Sequence, residues 1–294
     1  MKKITVFTPT YNRGYTLNDL YKSLVKQNCK DFIWMIVDDG STDDTKEIVK
    51  KFISENKIEI EYYYQNNQGK HVAHNLGVKK CRTELFFCVD SDDKLTSNAI
   101  FEILEIEKEG KIEKNNICGI VGNRCFSDGS IIGTKFPEIE YESLSELYKK
   151  GKKGDTSLIY KTNVIKKYPF KVFENEKFLR ENTAYDEIDK KYKLYVTNQI
   201  FTICEYLDDG LSKNAIKIEM KNPLGAAYYR LLEAKKAEKA SLKIRNYSGY
   251  IFFMIKGKKI KECIKEVGIF RFVFLLPIAF VGAIRYKYLL RGIK

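Results

Sequence analysis

The feature that most constrains this sequence is an alternation of short β-branched runs with amphipathic stretches through its first 125 residues. Ile4–Thr8, Phe32–Val37, Ile58–Tyr64, Glu84–Val89 and Cys118–Gly122 read as strands. Between them, Leu17–Val25, Thr42–Ile53, Val72–Lys80 and Ala99–Glu107 carry helical spacing, with Leu17, Leu20, Tyr21 and Leu24 on one face. Ser41 or Thr42 is the expected cap of the second helix. Such alternation predicts an α/β domain with a largely parallel sheet and right-handed crossovers. Beyond Gly122 the pattern loosens. Asp128-Gly129 marks a hairpin turn, Leu144–Lys149 a short helix, and Leu158–Tyr160 and Tyr195–Glu205 two strands. Glu174–Ile188 is acidic and loop-like before turning helical, and the chain after Pro223 is Ala/Leu/Lys-rich and helical.

Charge divides the chain. Residues 1–216 hold 34 Lys/Arg and 34 Asp/Glu, whereas residues 217–294 hold 18 and 5, so the whole excess of +13 lies in the last segment. The expected organisation is a neutral module over 1–216 and a basic helical region over 217–294. With 44% hydrophobic and 31% charged residues, the 294-residue chain is not a disordered one. Its N-terminus has only a short apolar run ending at Pro9, so no signal peptide is expected. Seven cysteines without a CxxC pair point to reduced, mostly buried thiols and a cytosolic setting. Residues 272–284 form an uncharged run of thirteen, bracketed by Arg271 and Arg285 and interrupted by Pro277. A spanning helix needs about 20 apolar residues, so an interfacial or re-entrant segment is expected instead.

The chemistry-bearing residues fall where an open α/β sheet binds ligands, beyond the carboxyl ends of its strands. Strand one runs into Thr8–Arg13, strand two into Asp38–Asp43, strand three into Gln65–Lys70 and strand four into Asp90–Asp93. Asp90 and Asp92 are hard oxygen donors suited to Mg²⁺ or Mn²⁺ and, through it, to a diphosphate; the plain alternative is an acidic helix start. Asp39 suits a nucleobase imide or ribose hydroxyl, while one of Asp38 and Asp39 is expected to close an Asx turn. Tyr11 offers a ring to a base, or else belongs to the core. Lys70 suits a phosphate, or else is a solvated surface lysine. His71 and His74 share one helix face, but no third zinc ligand is near in sequence. Patterns for G-x-S-x-G, G-x-G-x-x-G and P-loop chemistry are missing from the sequence.

Thr8-Pro9-Thr10-Tyr11-Asn12-Arg13, Val37-Asp38-Asp39-Gly40-Ser41-Thr42-Asp43, Gly69-Lys70 with Asn75 and Gly77, and Val89-Asp90-Ser91-Asp92-Asp93 together resemble the family 2 glycosyltransferases. The resemblance covers about residues 3–215. It implies a GT-A fold and an inverting transferase using a nucleotide-diphosphate sugar, usually a UDP-sugar, with a divalent metal. By the same resemblance, Thr8, Pro9, Tyr11 and Arg13 hold the uridine and Asp39 the uracil. Lys70 lies by the diphosphate, Asp90 by ribose or metal, and Asp92 is the principal metal ligand. The family's Glu-Asp-x-x-Leu base segment is matched by Asn175-Glu176-Lys177-Phe178-Leu179, with Glu176 in the Asp position and Glu181 as its rival. Asp155 is a candidate for the acceptor side. Tyr206–Ser212 is similar to the segment that closes the catalytic domain. A Gln-x-x-Arg-Trp pattern is lacking, which points to one sugar added per acceptor rather than processive synthesis.

In the C-terminal region, Lys256, Lys258, Lys259 and Lys261 precede the Phe-rich stretch, and Arg285, Lys287 and Arg291 follow it. Basic clusters beside apolar aromatic stretches suit the anionic inner face of the cytoplasmic membrane, where a lipid-linked or surface-glycan acceptor of capsule, O-antigen or exopolysaccharide assembly would lie. A soluble helical cap is the alternative. Nucleic acid is not an expected partner, because the basic part is also the most apolar. Competing functions are a non-catalytic membrane adaptor that binds nucleotide and a nucleotidyltransferase. The latter wants a Gly-rich first loop, whereas Thr8–Arg13 has no glycine before Gly14.

Overall fold

A computed structural model of the chain describes residues 2–205 and 215–291. They form two compact units, residues 1–170 with 184–207, and residues 171–183 with 208–294. The segment 171–183 thus groups with the C-terminal helices and not with the sheet. Tyr206–Ser212 lies outside the described residues.

The first unit begins with four repeats of strand and helix. These are β1 (Ile4–Thr10), α1 (Gly14–Val25), β2 (Phe32–Asp38), α2 (Thr45–Glu55), β3 (Ile60–Tyr64), α3 (Lys70–Lys80), β4 (Leu85–Cys88), the short β5 (Lys94–Leu95) and α4 (Ala99–Lys108). Then follow β6 (Ile117–Cys125), β7 (Tyr141–Glu142), α5 (Leu144–Lys149), β8 (Thr156–Lys161), α6 (Thr162–Ile165), α7 (Asn182–Asp189, which starts in the other unit's segment) and β9 (Lys193–Ile203). The nine strands form one sheet in the order β3-β2-β1-β4-β8-β6-β9-β5, with β7 added on β9. β3, β2, β1 and β4 are parallel. β8 then enters antiparallel to both β4 and β6, so the parallel arrangement is confined to the first half and the β6–β9 pair. Antiparallel neighbours need no crossover helix, and the β6–β8 connection carries only the two-residue β7 and the six-residue α5.

β1 and β2 are buried at every position because helices cover both faces of the sheet. α1 buries Leu17, Leu20, Tyr21 and Leu24, as its spacing dictates. Tyr21 stacks on Phe52 with ring centroids 4.1 Å apart, next to the fully buried Trp34. α2 starts three residues later than its sequence suggests. Ser41 and Thr42 are drawn into bonds with the first loop, and Asp43 accepts the backbone N–H of Thr45 at 3.1 Å and its hydroxyl at 2.6 Å. Gly77 lets α3 lie against β1, since a Cβ there would sit 2.3 Å from the Phe7 ring. We expect Gly77→Ala to destabilise the protein by about 1–3 kcal/mol, the range for overpacking a core. Denaturant unfolding checks this, and an unchanged midpoint would contradict it.

The second unit comprises α8 (Ala215–Lys221), α9 (Pro223–Lys236), α10 (Ala240–Lys256), α11 (Ile260–Val267) and α12 (Ile269–Arg291), as the composition after Pro223 predicts. Its core is built on Ala226, Ala227, Tyr250, Ile251, Phe253, Cys263, Phe272 and Leu275. The 171–183 segment is tied in by charge. Buried Glu219 accepts from Arg180 Nε at 2.6 Å and faces Arg230 at 3.9 Å. α12 runs unbroken through Pro277. No helix among the described residues is long and apolar enough to cross a membrane.

Candidate active site

Register places the four polar loops side by side. β1 and β2 pair up to Thr10 opposite Asp38, and β2 pairs with β3 up to Asp38 opposite Tyr64. On the other side of β1, Val89 N–H bonds the Phe7 carbonyl at 2.9 Å, which starts the Asp90–Asp93 turn next to the first loop. Loops one and two are laced together. Asn12, in the left-handed region at φ 51°, donates its N–H to Ser41 Oγ at 2.8 Å and accepts Thr42 N–H at 2.8 Å.

The two neighbouring aspartates divide their work. Asp38 Oδ1 accepts the Ser41 N–H at 2.7 Å, which is the expected Asx turn, and its other oxygen takes the Tyr62 hydroxyl at 2.7 Å. Asp39 accepts the Gln65 side-chain amide and the N–H groups of Gln68 and Gly69, at 2.7, 2.8 and 2.7 Å. It therefore fixes the third loop, which opens α3 through Gly69 at φ 97°.

The carboxylates after β4 meet three cations. Lys70 Nζ lies 2.6 Å from Asp90, an Arg13 nitrogen 3.8 Å from Asp92, and an Arg124 nitrogen 3.0 Å from Asp93. Burial works to raise the Asp90 carboxyl, but Lys70 and Arg124 hold it below its ordinary value. Burial and then the charge of Asp90 push Asp92 up instead. Asp92 is thus a half-buried carboxylate with too little positive charge around it, the condition a divalent cation relieves, so the pair fits Mg²⁺ or Mn²⁺. Among the described residues no group of three His, Cys, Asp or Glu side chains forms a cage. Such an ion would complete its shell with ligand and water oxygens, as Mg²⁺-type sites do.

The other expected residues are placed as follows. Pro9 is buried in β1 and Tyr11 is 47% exposed on its loop. Thr8 is fully buried, and its hydroxyl accepts the Trp34 indole N–H at 3.0 Å, so its side chain faces the core. Asp155 is exposed just ahead of β8. In the second unit, Glu176 is buried and accepts the N–H groups of Leu224 and Gly225 at 2.6 and 2.7 Å, at the start of α9. Burial raises its carboxyl in spite of those bonds. Glu181 is exposed in the residue before α7. His74 is buried edge-on against Phe7, Phe86 and Phe170, and burial pushes its imidazole down to about 3.

The sequence model of Glycosyl transferase family 2 matches residues 5–175, more than half of the chain. The chain belongs to this family. It is similar to a Campylobacter jejuni GalNAc(5)-diNAcBac-PP-undecaprenol beta-1,3-glucosyltransferase, 26% identical over 74% of this chain and 71% of that one. It is 29% identical to the Staphylococcus aureus poly(ribitol-phosphate) beta-N-acetylglucosaminyltransferase TarP, over 60% of this chain and 52% of TarP. Among solved structures, S. aureus TarS 1–349 with UDP-GlcNAc superposes with a TM-score of 0.59 at 18% identity, covering 93% of this chain and 79% of that one. The mannosyltransferase PcManGT from Pyrobaculum calidifontis, solved with GDP-Man and Mn²⁺, gives 0.56 at 11%, covering 97% and 82%. These likenesses bear out the GT-A fold. The chain spans about half the length of TarP and of the longer TarS structure.

In this family 2 glycosyltransferase, sequence reasoning overlooked Arg124. Its guanidinium, buried in the sheet, holds Asp93 and donates to the Thr156 carbonyl at 3.0 Å and to Cys204 Sγ at 3.7 Å. It thereby braces the loop that carries Asp90 and Asp92 against β8 and the end of β9. The available signal was one charged residue near the end of an otherwise uncharged strand, Ile117–Cys125. Asn75 and Gly77 of the third motif turn out to be architectural. Asn75 exchanges two 2.8 Å bonds with the Phe170 backbone, while Gly77 makes room for Phe7.

Proposed function

We propose that this glycosyltransferase adds one sugar per acceptor, with inversion, from a UDP-sugar to a hydroxyl of a lipid-linked or surface-glycan acceptor. The setting is bacterial polysaccharide assembly on the inner face of the cytoplasmic membrane. The observation that carries this reading is the Asp90–Asp92 pair at the end of β4, with Lys70 at 2.6 Å and Arg13 at 3.8 Å. It is supported by the undecaprenol-linked and poly(ribitol-phosphate) acceptors that the names of the relatives give, and by UDP-GlcNAc in the TarS structure.

In this reading Asp90 and Asp92 hold Mn²⁺ or Mg²⁺, which when bound neutralises the diphosphate as it leaves. Tyr11 stacks on the uracil, with Pro9 stiffening its loop. Three of roughly four acceptor directions on Asp39 are used by the third loop, which leaves one for the imide N–H. Lys70 and Arg13 exchange their carboxylate partners for phosphate oxygens when the donor arrives. The acceptor oxygen attacks the anomeric carbon as the bond to the diphosphate breaks, and a glutamate takes the acceptor proton. We assign that base to Glu181, because both oxygens of Glu176 are taken by the start of α9. Asp155 is proposed for the acceptor side.

A thermal-shift screen of UDP-sugars with and without Mn²⁺ tests the donor. A fitting donor at about 100 times its Kd adds about 2.7 kcal/mol to apparent stability and raises the melting temperature by a few degrees. No shift with any UDP-sugar, metal present, would remove the donor assignment.

A further inference from the structure

α12 carries two opposed apolar faces. Phe272, Leu275 and Ala279, spaced by three and four residues, are buried in the core of the second unit. Phe270, Phe274, Pro277 and Val281, spaced by four, three and four, lie on the opposite side of the helix, since positions 3.6 residues apart share a face. Phe270 is 90% exposed, Phe274 76% and Val281 66%, and Val273, Ile278 and Phe280 flank them. A contiguous outward stripe of this kind marks an interaction surface.

Charge identifies what it meets. Lys256, Lys258, Lys259, Lys261 and Lys265 are all exposed, on α10 and α11 and the turn between them. Lys256 lines the same shallow hollow as Phe280, together with Phe252, Ile255 and Ala279, so positive charge borders the apolar stripe directly. A second copy laid on this face would bring the two lysine clusters together, whereas an anionic surface would be attracted. Phe, Val and Ile impose no directional bonding, which suits a fluid acyl layer.

We propose that the outward face of α12 docks on an anionic phospholipid bilayer. The helix lies in the plane of the interface, its phenylalanines at the acyl boundary and the lysines among the phosphates. This deepens the proposed function and rests on its placing of the acceptor at a membrane, but its test needs neither donor nor acceptor. Trp34, the only tryptophan, is fully buried, so Phe274→Trp provides a clean reporter in the full-length chain. Vesicles of phosphatidylcholine with about one-third phosphatidylglycerol are expected to sediment the protein and shift the new emission to the blue. The triple variant Phe270→Ser/Phe274→Ser/Phe280→Ser should bind at least ~30-fold more weakly. Charge reversal at Lys256, Lys258, Lys259 and Lys261 should cost ~10-fold or more and remove the salt dependence. Circular dichroism confirms folding, and Phe270→Ser alone serves if the triple variant fails to fold. Equal binding to neutral vesicles, no binding by the parent chain, or self-association that the serine variant abolishes would each overturn the proposal. The UDP-sugar screen is unaffected by any of these outcomes.

Discussion

Replacing Asp92 with alanine is expected to lower turnover by about 10³-fold or more, near 4 kcal/mol of transition-state stabilisation, and to leave the melting temperature of the ligand-free protein unchanged or higher. The two halves of this expectation have one cause. Asp92 is half-buried next to Asp90, and both effects disfavour its charge. Among the described residues its ion-pair partner is Arg13 at 3.8 Å. Removing the carboxylate therefore removes repulsion from the free protein and, in the reading above, the main metal contact from the working one. Asp90 should behave differently, because it is paired with Lys70 at 2.6 Å. Asp90→Ala removes that ion pair and should lower both activity and stability. Steady-state turnover with Mn²⁺ and a melting curve without it separate the cases. Normal turnover in Asp92→Ala would sink the metal assignment.

The second large effect separates the two glutamates. Glu181→Gln should lose about 100-fold or more in kcat with its melting temperature preserved, the signature of a missing general base. Glu176→Gln should instead be less stable by about 1 kcal/mol, because the amide has one oxygen where the carboxylate has two and leaves one N–H at the start of α9 without its acceptor, with kcat per folded molecule kept. A large kcat loss in Glu176→Gln at unchanged stability would reverse the roles.

What could be read from the sequence depended on how local the determining interactions are. β1 to β4 and their helices were legible to within about three residues at each end, since burial on both faces and the Leu17–Leu24 stripe are written within single elements. β5 and β7, two residues each, carry no period to read. The direction of β8 is set by its neighbours β4 and β6, about 75 and 40 residues earlier, which local patterning does not record. The candidate site followed the same rule. Four polar clusters on one sheet edge were evident from topology alone. The division of labour between Asp38 and Asp39 was not, because their partners Tyr62 and Gly69 come from another strand and loop. The resemblance places Thr8 at the uridine, whereas its hydroxyl meets Trp34 on the neighbouring strand. Arg124 was passed over because Asp93 and Thr156, which make it matter, are about 30 residues away on either side.

The grip of Asp39 on the third loop has a kinetic side. Gln68 and Gly69 belong to no strand, yet their amide protons are bonded to a buried carboxylate at 2.8 and 2.7 Å. In hydrogen exchange they should be protected like β2, and Asp39→Asn should release them first, before the strands open. A loop that is already ordered in the free protein has little conformational entropy left to lose, so the affinity for a nucleotide would be set by the contacts made on arrival and not by the cost of shaping the site.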